Sequence, residues 1–214
     1  MKITILCTNK NHPIYSVLKE WVSKNIDNHV LQLSDEVEIS LEGDILFIVS
    51  SSQIISKDIR DRYKKCLVLH AGDLPKNRGW SPHIWEILRG ASDITLTLLD
   101  AEDKVDSGAI YLKKNISIPK HLIWNEINCI LFKEEIAMME FFIKNYHKIK
   151  SKPQNEFLTP TYCKKRKPED SKLDPKKNIE EQFDLIRTCD PDRYPAYFDL
   201  NGFRYKIKIE KLNS

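Results

Sequence analysis

The chain has 214 residues, 41% of them hydrophobic, and sets 34 Lys and Arg against 31 Asp and Glu for a net charge of +3. That is material for one full domain and a small appendage with an ample core, and it excludes the strongly basic balance of a general nucleic-acid binder while leaving a local cluster free to meet an anion. Five scattered cysteines (Cys7, Cys66, Cys129, Cys163, Cys189) without Cys-x-x-Cys spacing, and no apolar run near the roughly 18 residues of a spanning helix, argue against a disulfide framework, a zinc site or a membrane span.

Met1 to Leu6 enters a strand directly, with no targeting leader, so the chain reads as soluble and cytoplasmic, its thiols reduced. The β-branched run Ile3 to Cys7 is followed by the polar loop Thr8 to Pro13. Ile14, Val17, Leu18, Trp21 and Val22 then fall on one helical face. This β-loop-α unit lacks the Gly-x-Gly-x-x-Gly fingerprint of a dinucleotide site. A weaker strand is expected near Val30 to Leu33, and a central one over Ile45 to Val49, bounded by Gly43-Asp44 and Ser50-Ser51-Ser52. After Gln53-Ile54-Ile55, Ser56 reads as the N-cap of a helix ending near Lys65.

Cys66 to Leu69 has the length and composition of a buried parallel strand, which delivers His70 to its carboxyl end, where open α/β sheets place their chemistry. A proline-punctuated turn, Gly72 to Gly79, leads to Ser81-Pro82, read as an N-cap and a first-turn proline. The helix from there to about Arg89 is expected to bury Ile84, Trp85 and Leu88 and to stop at Gly90. A strand over Ile94 to Leu99 runs into an acidic loop that carries Asp106, so two neighbouring strands can bring His70 and Asp106 together. Ala109 to Leu112 is a further short strand, and Leu122 to about Lys148 is a long helix whose apolar stripe reads as core rather than dimer interface.

From Ser151 to Asn178 the chain turns polar, with four prolines and the cluster Lys164-Lys165-Arg166-Lys167, the composition of a charged connector. Ile179 to Cys189 is expected as a short helix burying Phe183 and Ile186. The segment from Ala196 to Ile209 reads as a hairpin, because Asn201-Gly202 suits a type I′ turn. The fold class is therefore α/β, with residues 1–150 as the main domain and 151–214 as a connector, short helix and β-hairpin subdomain.

His70, Leu74-Pro75, Arg78-Gly79, Pro82, Trp85, Leu88, Gly90 and then Asp106, Gly108 and Ile110 form a pattern that resembles the N10-formyltetrahydrofolate-dependent formyltransferases, whose fold is that of methionyl-tRNA formyltransferase. The likeness covers about the first two thirds of the sequence and is greatest to the branch that N-formylates amino groups of nucleotide-linked sugars. It implies a Rossmann-like domain with a mostly parallel sheet, His70 and Asp106 as catalytic residues, and no metal. The family carries an Asn two residues before the His, and that position is Val68 here, so the role of holding the formyl oxygen passes to another group or is absent.

The resemblance further implies that Gln53, Ile54, Ile55, Leu99, Asp100 and Ala101 meet the pterin of the folate donor, and that Asn9, Asn11, His12 and Pro13 touch the nucleotide sugar. Ile54 and Ile55 tucking the loop into the core is an equal alternative. Arg78, read at the rim, either faces phosphate or bridges the loop, and Trp80 either stacks on a base or sugar or packs the loop. The remaining histidines read as surface or capping residues. Partners implied are a nucleotide-linked amino sugar and folate, with no nucleic acid and no membrane; a homodimer is left open. Three readings follow: a sugar N-formyltransferase acting on a UDP- or dTDP-linked 4-amino-4,6-dideoxy hexose, the same scaffold acting on an aminoacyl-tRNA, or a catalytically weak nucleotide-sugar-binding domain.

Overall fold

The computed structural model describes residues 1–37 and 42–212. Six strands form the main sheet in the order β2-β1-β3-β4-β6-β7. They are β1 (Lys2–Leu6), β2 (Val30–Ser34), β3 (Gly43–Val49), β4 (Tyr63–His70), β6 (Asp93–Asp100) and β7 (Ile110–Ser117). The first four pair parallel, while β6 pairs antiparallel with both β4 and β7. The Rossmann-like α/β fold with a mostly parallel sheet is thus as the sequence implies. β3 lies at its centre with Ile45 to Val49 all buried, as a strand covered on both faces requires.

Helices α1 (Ile14–Asn25) and α4 (Trp124–Lys144) cover one face of the sheet. Ile14, Leu18 and Trp21 of the first and Leu131, Met139 and Phe142 of the second share a core with Ile3, Ile5, Phe47, Val49, Leu67, Leu69, Leu96 and Leu98. Phe142 anchors it with edge-on contacts to Phe47, Tyr111 and Tyr146 at 6.1, 5.1 and 6.1 Å. A smaller cluster on the alternate side chains of the strands joins Leu6, Leu46, Ile48, Ile55, Tyr63 and Cys66.

Two expected helices change. The segment after Ser56 is helical only over α2 (Lys57–Arg60), and β4 already begins at Tyr63, which pairs with Gly43 and donates its hydroxyl hydrogen to Thr4 at 3.1 Å. The buried Tyr63 recruits Lys64 and Lys65 into the sheet against their own preference. Helix α3 (Pro82–Leu88) buries Pro82 and Ile87, whereas Ile84, Trp85 and Leu88 are half-buried. Ser81 precedes it in the left-handed region (φ +44°) and makes no side-chain cap.

The connector is tied to the sheet domain by backbone pairing. Strand β5 (Arg78–Gly79) runs parallel to β8 (Tyr162–Cys163), and Lys152 bridges to Ile110. Helix α5 (Ile179–Thr188) starts in a capping box: Asn178 accepts from Glu181 N at 2.9 Å and Glu181 from Asn178 N at 3.2 Å. It buries Ile186 and the wholly enclosed Arg187, while Phe183 is half-buried. Arg187 spans from Asp184 (2.7 Å) to the carbonyl of Leu122 (3.2 Å), fixing α5 to the turn before α4. Strands β9 (Ala196–Leu200) and β10 (Phe203–Ile207) form the hairpin around Asn201 (φ +52°) and Gly202 (φ +83°), both in the positive region a type I′ turn demands. Among the described residues, no helix is long and apolar enough to cross a membrane.

Candidate functional site

His70 ends β4 with its ring buried at the sheet's carboxyl edge. Its Nε2 donates to the carbonyl oxygen of Asn77 at 2.8 Å, and its Nδ1 lies 3.4 Å from Asp106 Oδ2. A carbonyl only accepts, so this contact places the ring hydrogen on Nε2 and turns Nδ1 toward the carboxylate. The two side chains that the sequence brings together as a candidate pair are therefore in reach of each other, both almost closed to solvent.

Two loops make this arrangement. Gly72 gives the ring its space: a Cβ there would stand 2.7 Å from His70 Nε2 and 2.8 Å from Asn77 O, so any side chain would displace one of them. Asn77 turns back at φ +58°, and its side chain is held on α3, donating to Glu86 (2.7 Å) and accepting from Arg89 (3.2 Å). Asp106 itself sits at φ +51°, and its Oδ2 accepts the backbone hydrogen of Gly79 at 2.7 Å. Asn77, Ser81 and Asp106 are all non-glycine residues in the left-handed region, a concentration of backbone strain at one edge of the sheet.

The other expected residues sort differently. Arg78 is not a rim residue; only 5% exposed, it donates to Gln154 Oε1 at 2.7 Å and reaches the Tyr162 hydroxyl at 3.4 Å. Its guanidinium bridges the turn to the connector. Trp80 stands exposed with the Lys165 ammonium 4.7 Å from its ring centre. Ile55 is buried in the smaller cluster, whereas Gln53 is exposed and Ile54 leaves 67% of its surface open, so the loop is anchored by one of the two isoleucines and presents the other.

Leu99 is fully buried, and the backbone hydrogens of Asp100 and Ala101 are spent on Ala109 O and Cys66 O at 2.9 and 2.8 Å. Burial pushes the Asp100 carboxyl up, against the Tyr111 hydroxyl that donates to it at 3.0 Å. Asn9 and Asn11 are exposed, and Pro13 leads into α1. His12 is half-buried, 5.9 Å from the ring of Phe132, and its Nδ1 accepts from Ile14 N at 3.3 Å. Burial, and then the charge of Arg193, hold His12 down to about 4.

Val68, in the position of the family Asn, is half-buried against the smaller apolar cluster, and its side chain has no hydrogen to donate. His83, read from the sequence as a surface or capping residue, belongs near the site. Burial first, and then the proximity of His12, His70 and Arg166, hold it down to about 3, and its enclosed Nδ1 has no hydrogen-bond partner among the described residues. Gln154 and Thr161 of the connector were also beyond the sequence reading, since nothing in a polar, proline-rich stretch announces which residues return to the sheet. Thr161 accepts from Asn77 N through its Oγ1 at 2.8 Å and from Arg78 N through its carbonyl at 2.9 Å. Among the described residues, no group of His, Cys, Asp and Glu is placed to hold a metal ion.

The model of the formyl transferase family matches residues 5–140, more than half of the chain and the whole of the His70 and Asp106 region. The chain belongs to the formyl transferase family. A methionyl-tRNA formyltransferase from Protochlamydia amoebophila is 28% identical over 178 residues, covering 79% of this chain and 54% of that protein; the chain spans about half the length of the curated relatives it matches. Among solved structures, a methionyl-tRNA formyltransferase from Clostridium thermocellum superposes with a TM-score of 0.83 at 22% identity, over 100% of this chain and 94% of that one. A sugar N-formyltransferase from Shewanella sp. FDAARGOS_354 gives 0.69 at 18%, over 100% and 99%. HypX from Aquifex aeolicus in complex with tetrahydrofolic acid gives 0.72 at 18%, over 95% of this chain and 36% of that one. At these identities the structures speak to the fold of this formyl transferase family member, not to its substrate.

Proposed function

We propose that this family member is an N-formyltransferase that moves the formyl group of N10-formyltetrahydrofolate to the amino group of a nucleotide-linked 4-amino-4,6-dideoxy sugar carried on UDP or dTDP. The observation that carries the reading is the buried approach of His70 Nδ1 to Asp106 Oδ2 at 3.4 Å. In the reaction the amine lone pair attacks the formyl carbon, a tetrahedral oxyanion forms, and the bond to N10 of the folate breaks as that nitrogen takes a proton. With Nε2 donating to Asn77 O, the proton released by the amine is received between Nδ1 and the Asp106 carboxylate, where both oxygen and nitrogen attract it. His70 is the acceptor and Asp106 orients it and balances the charge that develops.

Residues 1–150 are the catalytic domain in this reading and residues 151–214 its C-terminal subdomain. The pterin lies between the Gln53-Ile54-Ile55 loop and Leu99-Asp100-Ala101, with the exposed Ile54 as its apolar wall. Asn9, Asn11, His12 and Pro13 receive the sugar, with His83 beside them, and Trp80 offers an aromatic face for the base or sugar. Arg78 supports the site through the connector rather than through phosphate. The tetrahydrofolic acid complex of HypX and the Shewanella sugar N-formyltransferase share this fold, so a folate donor and a sugar acceptor are both compatible with it.

The named sequence relatives favour a second reading, in which the amine belongs to an aminoacyl-tRNA. The net charge of only +3 weighs against it, since RNA backbones are met by a basic face. The experiment is mass spectrometry of UDP- and dTDP-linked 4-amino sugars, and in parallel of initiator methionyl-tRNA, each incubated with the protein and N10-formyltetrahydrofolate. Gain of one formyl group by an amino sugar is expected. Formylation of the tRNA alone would replace the acceptor, and no product anywhere, with nucleotide sugar still bound, would leave the binding-domain reading that Val68 suggests.

A further inference from the structure

Gln154 lies outside the segment matched by the family model, in the polar connector, and nonetheless touches the site from behind. Its Nε2 donates to two backbone carbonyls, those of Asp106 at 2.8 Å and Gly108 at 2.9 Å. Its Oε1 accepts from Arg78 Nη2 at 2.7 Å. The two carbonyls stand on either side of Ser107, so their hydrogen bonds fix the peptide planes at both ends of the turn that presents Asp106. That turn is strained at its functional residue, with Asp106 at φ +51°, and relaxation toward negative φ would swing the carboxylate away from His70 and from Gly79 N.

We propose that Gln154 is a positioning residue: by holding the carbonyls of Asp106 and Gly108 it keeps the Asp106 carboxylate between His70 Nδ1 and the Gly79 backbone hydrogen. Only an amide suits the place. It supplies two hydrogens for the two carbonyls and one oxygen for the guanidinium. A glutamate keeps the partner of Arg78 but loses both donations, and a methionine fills the space and loses all three. Gly108 is buried and the Asp106 side chain nearly so, so solvent is poorly placed to replace the lost bonds. The connector thereby acts on both halves of the pair, through Gln154 on the Asp106 turn and through Thr161 on Asn77, whose carbonyl holds His70.

The effect on turnover rests on the proposed role of Asp106; the effect on geometry does not. The first measurement is therefore amide hydrogen exchange on the full chain. Gly79 is expected to exchange about tenfold faster in both Gln154→Glu and Gln154→Met while the amides of β1, β3 and β4 keep their rates. Wild-type protection of Gly79 in Gln154→Glu would overturn the proposal, as would a loosening of the whole sheet in both variants. Where wild-type turnover has been established, both variants are expected to lower kcat by roughly tenfold or more with KM for donor and acceptor changed less than about threefold. Added to Asp106→Ala, Gln154→Met is expected to cost less than about twofold further, because the two act in series; a full second loss would contradict action through Asp106. Absence of turnover in the wild type would refute formyl transfer and leave the exchange result to decide Gln154.

Discussion

Both ring nitrogens of His70 face oxygen, one the carbonyl of Asn77 and the other the carboxylate of Asp106, and each of those oxygens is placed by a residue in the left-handed region. What the same edge of β4 lacks is a donor two residues earlier, where Val68 packs against apolar neighbours. If the oxyanion is under-supplied, Val68→Asn should raise turnover by roughly tenfold while lowering the thermal midpoint, since an amide is then placed in a partly apolar setting. Steady-state kinetics beside a melting curve checks this; unchanged turnover would mean that another group already holds the oxygen. His70 and Asp106 were legible in the sequence because they close strand-like runs and stand in a dense local pattern. Arg78 bridges its turn as one of its two expected roles allows, but from a buried position rather than the rim, because its partners Gln154 and Tyr162 lie far along the chain and no local rule connects them. His83 escapes a sequence reading for the same reason: its neighbours His12, His70 and Arg166 come from three distant parts of the chain.

At the scale of elements, the apolar runs of β1, β3 and β4 and the periodicity of α1 and α4 were readable, since burial writes itself into those patterns. The start of β4 was not, because Lys64 and Lys65 are strand residues only by virtue of their neighbours. Nor was the antiparallel sense of β6 against β4 and of β7 against β6. Helix α4 also hides a departure from its stripe. Glu135 is buried within the core face, its Oε2 has no partner among the described residues, and burial pushes its carboxyl up to about 8.

Its folded value is raised, so its contribution is intact below about 4.5 and is lost as pH climbs to about 8. His12 and His83 are depressed to about 4 and about 3, so theirs is intact above about 6.5 and lost as pH falls. Counting these three groups, between about pH 4.5 and 6.5 the unfolded chain binds two protons through the histidines and the folded one binds one through Glu135, and stability rises with pH. Above about 6.5 only the Glu135 proton remains, and stability falls. A melting-temperature profile is expected to peak near pH 6 to 7 and, in Glu135→Gln, to lose its alkaline descent up to about pH 8; a descent unchanged in the variant would contradict the buried-acid account.

For the molecule as a whole, the family match ends at residue 140 while residues 154–163 add hydrogen bonds of their own to Asn77, Arg78 and Asp106. A sequence reading that stops at the last strong motif sees a domain and a tether. The structure shows the tether returning as β8 alongside β5, so the site is finished only when the connector has folded onto it. The central claim, that His70 takes the proton from the attacking amine with Asp106 orienting it while the formyl group passes directly from folate to amine, is tested most directly by single-turnover transfer of a carbon-13-labelled formyl group from N10-formyltetrahydrofolate, followed by NMR. The account predicts that the label appears on the sugar amine nitrogen with the wild type and is slowed by roughly a hundredfold to ten-thousandfold in His70→Ala and in Asp106→Ala. Transfer at a near wild-type rate by either variant would contradict it.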